Sequence, residues 1–231
     1  MHHVADGYPV SGMEPLERRK QVQRDDYYMR VARTVETGAD CLGSKVGAVV
    51  VLENRIISTG YNGTPTEFGN CEQGGCVRCL DSWLFKQGRQ TEMSDPTHVS
   101  GAALDRCVCV HAEQNAIITA ARFGIRVQDS TLYTTQSPCF GCLKESLQAG
   151  VERIVYGSWY RAKYSAALAA QYQALAQHLT GGEVTKFEQL GGADPVFEPE
   201  GQPDPYEDHE GDLPGLDPAH VTDTLTQHGS E

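Results

Sequence analysis

Apolar positions along the chain change their period several times, and each change predicts an element. Residues 24–37 (RDDYYMRVARTVET) space Tyr28, Val31, Ala32 and Val35 at helical intervals. Residues 45–52 (KVGAVVVL) form an unbroken apolar run, the pattern of a strand buried on both faces. Glu53-Asn54-Arg55 then turns the chain into a partner strand over 56–61, which ends at Asn62-Gly63 and Thr64-Pro65. Residues 66–109 carry five cysteines and little periodicity, and an insertion of that length is either functional or stapled. Further on, the pattern predicts a helix over 111–123 stopped by Gly124, a strand over 131–135 and a helix over 140–148 followed by Gly150. A strand over 153–156 and an Ala- and Leu-rich helix over 164–179 complete the series. This order predicts a three-layer α/β/α sandwich around a mixed sheet.

Composition changes the picture at the ends. Residues 1–22 read as a flexible arm, 23–180 as the folded domain and 181–231 as a Gly-, Pro- and acid-rich tail expected to be disordered. The net charge of −12 sits entirely in that tail, where 13 acidic residues face one basic residue, Lys186. The domain itself is balanced, so it offers no broad basic face for nucleic acid. No apolar run is long enough to span a bilayer and the N-terminus has no hydrophobic signal core, so a cytoplasmic protein without a membrane partner is expected.

Two short stretches carry chemistry. Residues 109–117 read CVHAEQNAI and residues 137–142 read SPCFGC. Zinc favours imidazole and thiolate donors in a tetrahedron, and a catalytic zinc keeps one position open. His111, Cys139 and Cys142 would fill the other three. The second stretch falls where a strand is expected to meet a helix, so its thiolates face a helix N-terminus and backbone N–H groups that stabilise their charge. Glu113, two residues after His111, can stand beside a metal without binding it and move a proton between water and a leaving nitrogen. His-x-Glu followed by Pro-Cys-x-x-Cys is the signature of the zinc nucleobase deaminases. A purely structural zinc site would leave Glu113 idle.

Around these motifs the chain resembles the deoxycytidylate (dCMP) deaminases of the cytidine deaminase-like fold. The resemblance rests on CLGSKVGAVVV (41–51), STGYNGTP (58–65), NCEQGGCVRC (70–79), CVCVHAEQNAI (107–117), SPCFGC (137–142) and IVYGSWY (154–160). It implies hydrolytic deamination of dCMP to dUMP with release of ammonia, with His111, Cys139 and Cys142 on the catalytic zinc and Glu113 as proton shuttle. It also implies that Asn62 hydrogen-bonds the nucleotide sugar, that Arg122 contacts the phosphate and that Tyr160 borders the base pocket, with N–H groups near Ser137 as further donors. Asn62 has a plainer reading as a turn residue before Gly63, and Arg122 as a helix-end cation. The resemblance further implies a homo-oligomer, hexameric in many members, activated by dCTP with Mg²⁺ and inhibited by dTTP. Two other readings stand beside it: a deaminase of another cytosine or purine compound, including a tRNA base, and a non-catalytic zinc-stabilised binding module of the same fold.

Six more cysteines lie at Cys41, Cys71, Cys76, Cys79, Cys107 and Cys109. Without an export signal such a group indicates metal rather than disulfides. Four thiolates around a structural zinc would staple the insertion, and many members of the resembled family carry a second, structural zinc near the GYNG loop. Six thiols exceed one tetrahedral site, so either some are spare or a further structural ion is present. Spacing does not choose the four, and buried reduced cysteines are the alternative. His98, in a polar loop, is expected to be solvated.

Overall fold

The computed structural model describes residues 16–86, 107–160, 164, 166–178 and 187–190. Helix α1 (Leu16–Glu36) leads into the antiparallel pair β1 (Gly47–Leu52) and β2 (Arg55–Tyr61), followed by a short 3-10 turn and helix α2 (Val77–Lys86). Then come α3 (Ala112–Arg122), β3 (Thr131–Gln136), α4 (Phe140–Gln148), β4 (Arg153–Ser158), α5 (Ala166–His178) and β5 (Phe187–Gln189). Five strands form one sheet in the order β2-β1-β3-β4-β5. The pairs β2-β1 and β1-β3 are antiparallel, whereas β3-β4 and β4-β5 are parallel. The mixed sheet and the three layers match expectation.

Alternation along the strands builds the two cores. Ala48, Val50, Leu132, Ile154 and Tyr156 point to one face, where they meet Ala112 and Ala116 of α3, Leu143 of α4 and Tyr172 and Ala176 of α5. Val49, Val51, Tyr133 and Val155 point to the other, under Tyr28, Met29 and Ala32 of α1. The strand β1 is therefore buried on both sides, as its unbroken apolar run predicts. Between β1 and β2 both turn residues, Glu53 and Asn54, take positive φ (50° and 61°), the requirement of a tight hairpin turn matched to strand twist. Two glycines set how close the layers come. A Cβ at Gly47 would overlap the backbone of Ala32 and Glu36 in α1, and one at Gly60 would overlap Ala112 and Ala116 in α3. The Ser58 hydroxyl donates to the Ala116 carbonyl at 2.7 Å, pinning α3 across β2.

Three boundaries differ from the sequence reading. Helix α1 begins at Leu16, so residues 16–22 of the expected arm are helical. Helix α2 lies inside the insertion expected to lack regular structure and carries Cys79 in its first turn. Strand β5 lies inside the expected tail 181–231 and extends the sheet past β4, with the Leu190 N–H donating to the Tyr156 carbonyl at 2.9 Å. Three residues are too few for a periodic signal amid Gly- and Glu-rich chain. Residues 1–15, most of the tail including 191–231, and the part of the insertion holding His98 lie outside the described residues. Among the described residues no helix is long and apolar enough to cross a membrane.

One ion pair locks α1 to the sheet. The Arg153 guanidinium donates to both oxygens of Asp25, at 2.8 and 2.9 Å, and the Tyr133 hydroxyl donates to Asp25 Oδ1 at 2.7 Å. Asp25 is buried and Arg153 nearly so. Removing one partner strands a buried charge, so Asp25→Ala is expected to cost about 3–5 kcal/mol of stability. Urea unfolding monitored by circular dichroism measures this, and a loss below about 1 kcal/mol would mark the pair as dispensable.

Candidate active site

Two helix starts meet at the carboxyl end of β3. His111 occupies the N-cap of α3 with extended backbone (φ −72°, ψ 157°), and Cys139 occupies the N-cap of α4 (φ −70°, ψ 171°). The His111 N–H donates to Gln114 Oε1 at 3.1 Å, and Gln114 Nε2 donates to Glu145 of α4 at 3.2 Å, so one side chain ties the start of α3 to α4. The Cys142 N–H donates to Cys139 Sγ at 3.5 Å, placing that sulfur in the positive field of the α4 terminus.

The donors converge. Cys139 Sγ lies 3.4 Å and Cys142 Sγ 3.3 Å from the same ring nitrogen, His111 Nδ1. A ring nitrogen has one proton or one lone pair and cannot satisfy both sulfurs at once. A tetrahedral zinc with its usual bond lengths holds nitrogen and sulfur about 3.5 Å apart. The N, S, S set therefore fits zinc in both chemistry and spacing. Glu113 is not part of the ligand group. It is buried on the next turn-start position of α3, with Thr134 donating to its Oε1 at 3.3 Å.

The electrostatics follow from this crowding. Hydrogen bonding to Cys139 pushes the His111 pKa up to about 9, against the downward pull of burial. Hydrogen bonding to Cys142 brings Cys139 down to about 4, while the partner sulfur and burial push Cys142 well above the ordinary thiol value. Burial raises the Glu113 carboxyl above the usual carboxylate range, and the His111 charge opposes that rise.

The surrounding cleft has about 840 Å³ of empty space, the open solvent at its mouth included. Its wall includes Ser44, Asn62, Arg78, Gln136, Ser137 and Tyr160 beside the donor set. Asn62 is on the wall as expected, but its carboxamide is engaged with a neighbouring loop. It accepts from the Val46 N–H and donates to the Ser44 carbonyl, both at 2.7 Å. One amide hydrogen remains for a ligand. Tyr160 also lines the cleft, held by its N–H donating to Ser137 Oγ at 2.7 Å.

Two expectations need correction. The Ser137 N–H donates to the Ser158 carbonyl at 2.8 Å, so that group is not a donor into the cleft, although Ser137 itself lines it. Arg122 is exposed in the last turn of α3, about 16 Å along the axis from His111, and does not line the cleft. Its helical spacing places it at the far end of the helix whose start forms the site. Sequence reasoning missed Arg78, which stands on the wall between Cys76 and Cys79. Burial raises the Tyr160 phenol, and the Arg78 charge opposes that rise. The signal for it was only that a cation interrupts a Cys-x-x-Cys turn.

With Cys139 already a thiolate, occupation of the site near neutral pH must expel one proton from His111 and one from Cys142. Both pKa values lie above neutrality, so protons compete more strongly as pH falls. Apparent zinc affinity is expected to rise about 100-fold per pH unit between pH 6 and 8. Competition against a chelator at several pH values, read on the ion whose loss stops turnover, checks this. A slope near tenfold would mean that only one proton is displaced.

Comparison with known proteins gives the site its relatives. The deoxycytidylate deaminase of Saccharomyces cerevisiae is 36% identical over 149 residues, 64% of this chain and 41% of its own length. That of Schizosaccharomyces pombe is 35% identical over 59% of this chain and 37% of its own length. The chain thus spans about two fifths of these yeast proteins. The deoxycytidylate deaminase of Mycobacterium phage D29 is 39% identical over 57% of this chain and 92% of its own length. A crystal structure of the dCMP deaminase of cyanophage S-TIM5 in complex with dCMP and dUMP is 27% identical, with a TM-score of 0.49 over 77% of this chain and 99% of that one. Residues 22–158, which hold every donor of the site, match the cytidine and deoxycytidylate deaminase zinc-binding region, and the chain belongs to that family.

Proposed function

We propose that this protein is a zinc-dependent hydrolase that deaminates dCMP to dUMP and releases ammonia. The observation that carries the proposal is Glu113, a buried carboxyl beside, and not among, the His111, Cys139 and Cys142 donors. The names of the yeast and phage relatives support the choice of dCMP over other bases. When bound by those three residues, zinc supplies the Lewis acidity that makes water acidic enough to attack near neutral pH.

The chain's own residues do the rest. Glu113 takes one proton of the attacking water and passes it to ring N3, then takes the second from the new C4 hydroxyl and delivers it to the departing amine. The Thr134 hydroxyl fixes the carboxyl that makes these transfers. Tyr160 borders the base, and the remaining Asn62 amide hydrogen meets the sugar. Arg78, the Arg or Lys among the described residues of the wall, meets the phosphate in place of Arg122. The resemblance, rather than any residue of this site, supports a cytoplasmic homo-oligomer activated by dCTP with Mg²⁺ and inhibited by dTTP.

Glu113→Gln is expected to lower kcat by about 10²–10⁴-fold with zinc content unchanged. Loss of the metal in that variant would make Glu113 a ligand and sink the assignment. Purified protein incubated with dCMP, deoxycytidine, cytosine and adenosine, followed by absorbance, tests the substrate: turnover with adenosine but not dCMP would overturn the proposal. Arg78→Gln is expected to raise KM for dCMP about 10–100-fold, the range for a lost charged hydrogen bond. Deoxycytidine, which lacks the phosphate, should be unaffected, and an equal loss with both compounds would remove Arg78 from the phosphate.

A further inference from the structure

The six cysteines outside the catalytic site gather into one buried group. Cys41 comes from the loop before β1, Cys71 from the 3-10 turn, Cys76 and Cys79 from the start of α2, and Cys107 and Cys109 from the strand-like approach to α3. Five of them are buried and Cys107 is half-buried. No two are joined by a disulfide. They divide into two sets of four whose sulfurs all lie within 4.8 Å of one another: Cys41, Cys71, Cys79 and Cys109, and Cys76, Cys79, Cys107 and Cys109. Cys79 and Cys109 belong to both.

This sharing decides the stoichiometry. A tetrahedral zinc with four thiolates holds its sulfurs about 3.8 Å apart. The sulfur pairs Cys41–Cys79 (3.8 Å), Cys76–Cys107 (3.6 Å), Cys79–Cys107 (3.5 Å) and Cys79–Cys109 (4.0 Å) lie at that spacing. Were one ion present, two thiols of the group would be left beside its ligands with no task. Two tetrahedra that share the Cys79–Cys109 edge use all six sulfurs and leave none over. We propose that Cys41, Cys71, Cys76, Cys79, Cys107 and Cys109 bind a pair of zinc ions, with Cys79 and Cys109 as bridging thiolates and the other four as terminal ligands.

Charge and backbone fit a thiolate cluster. Two dications against six thiolates leave a net charge of about −2, less than two separate four-thiolate sites would carry together. The Leu42 N–H donates to Cys71 Sγ and the Gly43 N–H to Cys41 Sγ, each at 3.4 Å, the contacts that steady a metal-bound sulfur. Both supported sulfurs are terminal. The cluster also has a place in the active site: Cys41, Cys79, Cys107 and Cys109 form part of the cleft wall with Arg78, and Cys109 precedes His111 by two residues. The bridging pair joins α2 to the segment that enters α3. The inference rests on sulfur geometry alone and holds whatever base the catalytic site deaminates.

Native mass spectrometry of the zinc-loaded full chain tests it. Three zinc ions per chain are expected, one catalytic and two in the cluster; two in total would overturn the pair. Replacement by cadmium-113 gives a direct reading of the bridges by NMR. Two thiolate-site resonances split by mutual scalar coupling are expected, and two uncoupled resonances would overturn the shared sulfurs. Iron with inorganic sulfide in the purified protein would overturn the zinc assignment. Cys79→Ser is expected to lower the cluster content more than Cys71→Ser or Cys76→Ser, and equal losses would contradict its bridging role. Should the Cys79 variant fail to fold, the wild-type metal count and the cadmium spectrum still decide.

Discussion

Everything in this site depends on two helix N-termini being brought to one point. Helices α3 and α4 each present their first residue to the same few ångströms of space, His111 from one and Cys139 with Cys142 from the other. A helix start offers free N–H groups and a positive end of the dipole, and both favour thiolate over thiol. The sheet makes the meeting possible. Because β3 and β4 are parallel, the chain must cross over between them, and α4 is that crossover. Its first turn then lies at the carboxyl end of β3, while Ser58 and Gly60 hold α3 against β2 across the hairpin. Shift either helix by one turn and the three donors no longer share a nitrogen.

The same packing explains why one carboxyl behaves differently from the others. Glu113 sits one residue into α3, on the face that turns inward to Ala116 and the sheet. Water is excluded there, so the charged form loses solvation and the pKa rises. Glu145 stands nearby but is used to hold Gln114, and through it His111. The two acids thus differ in setting: Glu113 is buried beside the donor set, and Glu145 holds the side chain that steadies His111. Burial, rather than residue type, divides the roles.

Much of this was readable from the chain. The unbroken run Lys45 to Leu52 gave a strand buried on both faces, and Gly124 and Gly150 stop α3 and α4 where their positive φ values require it. The His-x-Glu and Cys-x-x-Cys spacings gave the donor set, because each lies within one helix turn and local geometry is enough. What was not readable is what depends on chain brought from afar. Arg122 has a suitable helical spacing, yet the direction of the helix carries it away from the cleft. Arg78 has no pattern of its own and reaches the wall because its helix is anchored by the cysteines on either side. Asn62 lies on the wall, but the loop at Ser44 and Val46 takes its amide oxygen and one amide hydrogen, leaving one hydrogen for a ligand.

The cysteine group connects these failures of local reading. Spacing could not choose four ligands from six, since the choice is made in three dimensions by segments up to some seventy residues apart. In space the choice disappears, because all six sulfurs belong to one group and two of them belong to both halves. That geometry carries a consequence for the active site. Val110, between Cys109 and His111, pairs its backbone with Gly63, its N–H donating at 2.8 Å and its carbonyl accepting at 3.2 Å. Asn62 lies next to Gly63 on the wall. A short rigid link therefore runs from the cluster through Cys109 and Val110 to His111 on one side and to the Asn62 loop on the other. A protein with a small, open cleft has few apolar contacts with which to fix that wall, and metal–thiolate bonds are strong enough to do it where side-chain packing is sparse. The structural sulfurs and the catalytic nitrogen are best understood as parts of one scaffold, since the segment Cys109-Val110-His111 closes the first and begins the second.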